Sequence, residues 1–123
     1  MLKMLGIFLT SAAFSIASAG VLESWRALDA RYTIFSGQGL ADSEAPTKTD
    51  RKLAIYITGR PARDIFDSIG PDIDSDLELE KGDRQREKKG VQCMHRARNG
   101  ASGYRCWIGI DLRTGNTVAT VGC

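Results

Sequence analysis

Hydrophobic and polar positions alternate most regularly in Lys52–Thr58, KLAIYIT, where Leu53, Ile55 and Ile57 interleave with Ala54 and Tyr56. A period of two marks a strand with one face buried. Arg31–Ser36, RYTIFS, is rich in β-branched and aromatic residues and reads as a second strand. Gly37–Asp50, between the two, holds Gly, Pro, Ser, Asp and Thr and reads as a loop. After Gly59 the period changes. Ala62, Ile65, Phe66 and Ile69 recur at i, i+3, i+4 and i+7, the single apolar stripe of a short helix. Pro61 suits its first turn, where a missing N–H is harmless. Gly70-Pro71 predicts its end, with Gly70 as a left-handed cap and Pro71 unable to continue. Gly20–Ala30 is less regular. Leu22, Trp25 and Leu28 would share a helical face, so a short helix is expected there.

Three further strand-like runs follow: Val91–Arg98, Tyr104–Leu112 and Thr117–Cys123. The pieces joining them, Asn99–Gly103 and Arg113–Asn116, are turn chemistry, which predicts a C-terminal three-stranded antiparallel meander. Tyr104, Cys106, Ile108, Ile110 and Leu112 form the apolar, inward set. A two-residue turn at Thr114-Gly115 would set Cys106 opposite Cys123 at a position without ladder hydrogen bonds, where side chains approach closely. A four-residue loop over Leu112–Gly115 would shift that register by one pair and make the two cysteines diagonal neighbours. The expected bridge is Cys106–Cys123, worth about 3 kcal/mol, with Cys93 as the odd thiol. Asp72–Glu80, DIDSDLELE, alternates acids with Ile, Ser and Leu, and Lys81–Gly90, KGDRQREKKG, reads as a solvated charged stretch. The expected fold class is therefore α+β: one small domain over 20–123, an antiparallel sheet with one short helix packed on its inward face.

The first nineteen residues change the picture of where this domain folds. Met1–Met4 carries one cation, Lys3. Leu5–Ala17 is apolar or small throughout, and Ala17-Ser18-Ala19 supplies the small-x-small pattern of a cleavage site. The apolar run is too short to span a membrane, which takes about 20 residues. Residues 1–19 therefore read as a signal peptide, and the expected location is the periplasm or the medium. Thiols oxidise there, so cysteines are disulfide candidates first. Cleavage removes one of seventeen cations and none of fifteen anions, leaving the 104-residue remainder close to neutral. Any charge preference must come from local clustering.

Candidate chemistry is sparse. The acidic run superficially suggests a calcium loop, but Leu77 stands where the sharp turn needs Gly and Asp83 where a bidentate Glu is usual. An edge strand or loop kept soluble by its acids fits better. The cysteine spacings, with His95 as the only histidine, match no zinc pattern. No cofactor and no metal is expected. His95 falls on the inward parity with Cys93 and reads as a hydrogen-bonded structural residue; a nucleophile pair of the two lacks an orienting third group. On the outward parity lie Arg96 and Arg98, then Arg105 and Trp107. Aligning the two strands sets Arg96 opposite Trp107, a cation–π contact, and Arg98 opposite Arg105, a like-charge pair that invites an anion. These four residues are the candidate binding face for an acidic protein or a polyanion, with nucleic acid not expected.

The stretches TKTDRKLAIYITG (47–59), GDRQREKKGVQC (82–93) and GYRCWIGIDLRTGN (103–116), with the terminal VGC, resemble a family of small exported proteobacterial proteins. The resemblance implies export and a small domain, and brings no function. The family pattern has a further cysteine within the segment matching Asp72–Gly82. This chain has none there, which implies that the lost partner leaves one thiol over, with Cys93 the natural orphan. The functional expectation is an exported binding module, of an inhibitor or immunity type. The alternatives are a small periplasmic enzyme, or an envelope structural or stress protein without a discrete site. A deep cleft joining His95 to a carboxylate or thiol would favour catalysis; a flat Arg/Trp face would favour binding.

Overall fold

The computed structural model describes residues 24–74 and 79–120, with Gly6 and Ser11. The expected signal peptide therefore lies almost wholly outside the described residues, as does Cys123. The described residues form a five-stranded antiparallel sheet carrying one α-helix on one face, a small mixed α+β domain. The strands are β1 (Ala30–Phe35), β2 (Lys52–Thr58), β3 (Arg84–Lys88), β4 (Val91–His95) and β5 (Tyr104–Asp111). Helix α1 spans Gly59–Ser68, and a 3-10 helix covers Ala97–Gly103. The spatial order is β1-β2-β5-β4-β3.

The two early strands and the helix form where their patterns predict them. The α1 stripe is the core: Ala62 and Phe66 are fully buried, and Ile65 and Ile69 pack against the same cluster. That cluster also takes Ile57 from β2, Cys93 from β4, and Tyr104 and Cys106 from β5. Directly opposed residues share a face, so this helix-side face runs Ile57, Cys106, Cys93, Arg86 across four strands. The helix ends without a left-handed glycine. Gly70 is not among the positive-φ residues, Ile69 donates its N–H to the Phe66 carbonyl, and the Gly70-Pro71 bond is cis.

Three expectations are corrected. Residues 24–29 form no helix; Trp25 is 80 % and Leu28 53 % exposed, so the apolar spacing there has no core to face. The charged stretch is not wholly solvated loop. Its Arg84–Lys88 portion is an edge strand paired to β4, in which Arg84, Glu87 and Lys88 stay exposed while Arg86 turns to the helix side and meets Asp72 and the Phe66 carbonyl. The meander exists, but it is β3-β4-β5 rather than a C-terminal one. Both sides of β5 are taken, by β2 and β4, so the chain after Asp111 has no free edge to join. It makes one bridge, Ile110↔Thr117, just beyond the end of β4. That bridge follows the register of the four-residue loop. Residues 118–120 then cross the outer face, where the Val118 N–H bonds the Gly109 carbonyl at 3.1 Å. A Cβ on Gly109 would meet the Val118 carbonyl oxygen at 2.4 Å, so only glycine admits this crossing.

The disulfide follows from the same rearrangement. Cys106 is bonded to Cys93, not to Cys123. The sequence reading carries the fourth strand on to Arg98, whereas β4 stops at His95 and residues 97–102 form the connection. The Arg96 N–H still reaches the Gly103 carbonyl, at 3.1 Å, and the Gly109 N–H reaches the Gly90 carbonyl, at 2.9 Å. Those bonds assign even-numbered β4 residues to hydrogen-bonded positions. Cys93 and Cys106 therefore face each other at a position without ladder bonds, with Cα atoms 4.1 Å apart.

Candidate functional site

Relative to the expected alignment, the β4–β5 register places Trp107 four residues further back along β4, opposite Gln92 instead of Arg96. An even shift preserves the faces and changes the neighbours. Arg105 lies opposite Met94, not Arg98. Arg96 and Arg98 lie beyond the end of β4. Arg96 sits 3.6 Å from the buried carboxylate of Asp83, which also accepts the Ala97 N–H at 3.0 Å. Arg98 pairs with Glu80 at 3.1 Å. These two arginines clamp the 80–83 turn to the start of the 3-10 helix, and both are spent on that task.

Arg105 and Trp107 remain together on the outer sheet face, and two residues that sequence reading passed over join them. Tyr56 lies directly opposite Trp107, and Arg31 directly opposite Tyr56. The rings of Tyr56 and Trp107 are tilted at 40° with centroids 5.3 Å apart, and both are partly exposed. A shallow groove of about 190 Å³ runs along Arg31, Thr33, Leu40, Ala54, Tyr56 and Trp107. A hollow of about 450 Å³ adjoins it, lined by Asp29, Ala30, Arg31, Tyr56 and Thr58.

The cations on this face differ from most others. Arg26, Arg63, Arg84 and Arg86, like Arg96 and Arg98, are held in ion pairs, and Arg51 and Arg113 donate to backbone carbonyls. The side chains of Arg31 and Arg105 have no hydrogen bond or ion pair among the described residues; that of Arg60, at the start of α1, shares that condition. Two uncompensated guanidinium groups thus flank an aromatic pair on an open sheet surface. Such a surface can stack on planar or apolar groups and hold carboxylates or other anions at both sides.

The helix-side face carries the remaining candidate chemistry, and it is structural. His95 stacks on Tyr104, ring centroids 4.0 Å apart, and its Nε2 lies 2.9 Å from the Gly100 carbonyl oxygen. Its neighbouring sulfur is locked in the Cys93–Cys106 bridge, so Cys93 and His95 do not form a nucleophile pair. Asp72, the first acid of the alternating run, is held by Arg84 and Arg86, each donating through Nε at 2.7 Å. The Arg84 hydrogen bond, then that of Arg86, lowers its pKa from 3.8 to about 2. Both guanidinium groups lie over the Phe66 ring, at 5.1 and 4.4 Å, and Arg86 also donates to the Phe66 carbonyl at 2.8 Å. Among the described residues no three His, Cys, Asp or Glu side chains converge to hold a metal ion, and no helix is long and apolar enough to cross a membrane.

The sequence signal that could have found Tyr56 and Arg31 is their parity. Tyr56 shares its face of β2 with Lys52, Ala54 and Thr58, all small or polar, and Arg31 shares its face of β1 with Thr33 and the buried Phe35. This parity becomes informative only once β2 is known to lie beside β5. Comparison of the chain with family models, curated proteins and solved structures gave no match in any of the three.

Proposed function

We propose that the protein is a small exported binding protein that holds an acidic partner protein on the outer face of its sheet. The observation that carries the reading is the pairing state of the arginines. Arg31 and Arg105 flank the partly exposed Tyr56–Trp107 pair and carry no intramolecular counter-charge among the described residues, while most other arginines are engaged. An aromatic centre with arginines beside it is the composition of a binding hot spot. The shallow, open form of the groove and the structural employment of His95 favour binding over catalysis. Export is supported by the order of charged, apolar and small residues in 1–19 and is consistent with the Cys93–Cys106 bridge, which persists in an oxidising compartment.

The test is comparative capture from the envelope and medium of the native host. The wild-type protein should retain acidic proteins that elute with salt. The R31A/R105A/W107A variant should lose them, and the R96A/R98A variant should keep them. An identical retained set for wild type and the triple variant would sink the reading. Retention of an acidic glycan or polyphosphate in place of proteins would replace the partner class.

A further inference from the structure

We infer that the outer edge of β1 accepts an extended peptide as a sixth strand, one whose side chains alternate between acidic and apolar. The inference rests on the proposed anionic partner and specifies its form.

The directions of the backbone groups can be assigned from bonds at the strand ends. The Leu112 N–H bonds the Arg51 carbonyl at 2.9 Å, in the β2–β5 register. Odd-numbered β2 residues therefore bond β5, and even-numbered ones bond β1. Their β1 partners are Arg31, Thr33 and Phe35. The N–H and C=O groups of Ala30, Tyr32 and Ile34 point the other way, off the sheet. Among the described residues no hydrogen bond satisfies them. At the next even position, Ser36, the edge is already taken: Glu44 exchanges both backbone bonds with it, at 2.9 and 3.0 Å, in antiparallel sense. The loop thus places one strand residue on this edge and leaves the adjoining positions open.

The opposite edge is protected; among the described residues this one is not. β3 reads RQREK, four charges in five residues, and Ile73 donates its N–H to the Gln85 carbonyl at 2.8 Å. β1 reads ARYTIF, with one charge and no proline. Charged side chains are a common device for keeping strands apart, and β1 lacks them. Its side chains instead define what would fit. Tyr32, 75 % exposed, and Ile34 project to the helix side, while Arg31 and Thr33 project to the outer face beside Tyr56 and Trp107. An added strand would set apolar residues opposite Tyr32 and Ile34 and an acid opposite Arg31. Opposite charges and aromatic–aliphatic pairs across strands are the favourable combinations. The apolar residues would occupy the hydrogen-bonded positions, with their N–H groups toward β1.

The probe is a synthetic acetylated and amidated peptide of alternating valine and glutamate, titrated into the protein. Amide exchange at Tyr32 and Ile34 should slow on binding. N-methylation of the valines should weaken binding by about tenfold or more, because two ladder bonds are lost. N-methylation of the glutamates, whose N–H groups point away from β1, should weaken it far less. If the peptide binds and changes Trp107 fluorescence, but Tyr32 and Ile34 exchange as before and both methylated forms bind equally, strand addition is overturned and the anionic face stands. If exchange slows equally in the R31A/R105A variant, strand addition stands and the anionic face falls. No binding at millimolar peptide overturns the inference.

Discussion

Cys93 and Cys106 face each other across β4 and β5 with Cα atoms 4.1 Å apart, at a position where no ladder hydrogen bond separates the strands. Both are buried against α1, and the Cys106 sulfur lies 3.2 Å from the Ala62 carbonyl oxygen. The bridge closes a loop with a sequence separation of 13. Such a loop is worth about 3 kcal/mol in the chain-entropy account. Non-reducing peptide mapping should join the peptides of Cys93 and Cys106 and leave Cys123 unpaired with either. Replacing the pair by alanine should lower unfolding stability by about 3 kcal/mol. A map joining Cys106 to Cys123 would contradict the register of the whole β4–β5 hairpin.

Phe66 joins the core to the charged edge. It is fully buried, meets Tyr104 edge-on at 5.4 Å, and carries Arg86 and Arg84 over its ring. Phe66→Ala should cost about 3–5 kcal/mol, and Phe66→Leu clearly less. Urea unfolding would measure both. A cost below about 1 kcal/mol for Phe66→Ala would mean that α1 is not the lid of this core.

How far the sequence speaks depends on whether a feature is local. The alternation in Lys52–Thr58 and the stripe from Ala62 to Ile69 are set by near neighbours, and both elements stand where those patterns lie. Faces were legible too, because parity survives an even change of register: Trp107 and Arg105 do point outward. Partners were not legible. Whether Cys106 meets Cys93 or Cys123 depends on β2 lying beside β5, a contact between segments about 50 residues apart that no local pattern encodes. The same hidden contact kept Tyr56 and Arg31 out of the candidate face. Arg96 and Arg98 were misplaced for a different reason. The strand-like run continued past His95, while Asp83 and Glu80 drew both side chains and the Ala97 N–H into a turn.

Gly109 is where the C-terminal segment touches the sheet. Besides the Val118 carbonyl at 2.4 Å, a Cβ there would meet the Thr120 methyl at 2.5 Å. Neither the backbone oxygen nor the buried Thr120, 2 % exposed, can give way cheaply. Gly109→Ala should destabilise the protein by about 1–3 kcal/mol and speed amide exchange at Val118. Unchanged exchange at Val118 would show that the crossing is not held by this contact.

Asp72 supplies the pH dependence. Its carboxylate accepts hydrogen bonds from Arg84 first and Arg86 second, which lowers its pKa from 3.8 to about 2. A depressed folded-state value means that the contribution to stability is fully present above the ordinary value of 3.8 and is lost as pH falls toward about 2. The carboxylate side chain is 41 % exposed, so salt will screen part of this contribution. Asp72→Asn removes the charge at every pH. Urea midpoints of wild type and Asp72→Asn should therefore differ by a constant amount at and above about pH 5, and converge as pH falls from 3.8 to about 2. A carboxyl titration followed by NMR should place the Asp72 midpoint near 2. A midpoint at the ordinary value, together with urea midpoints that already coincide at neutral pH, would show that Arg84 and Arg86 do not hold this carboxylate in solution.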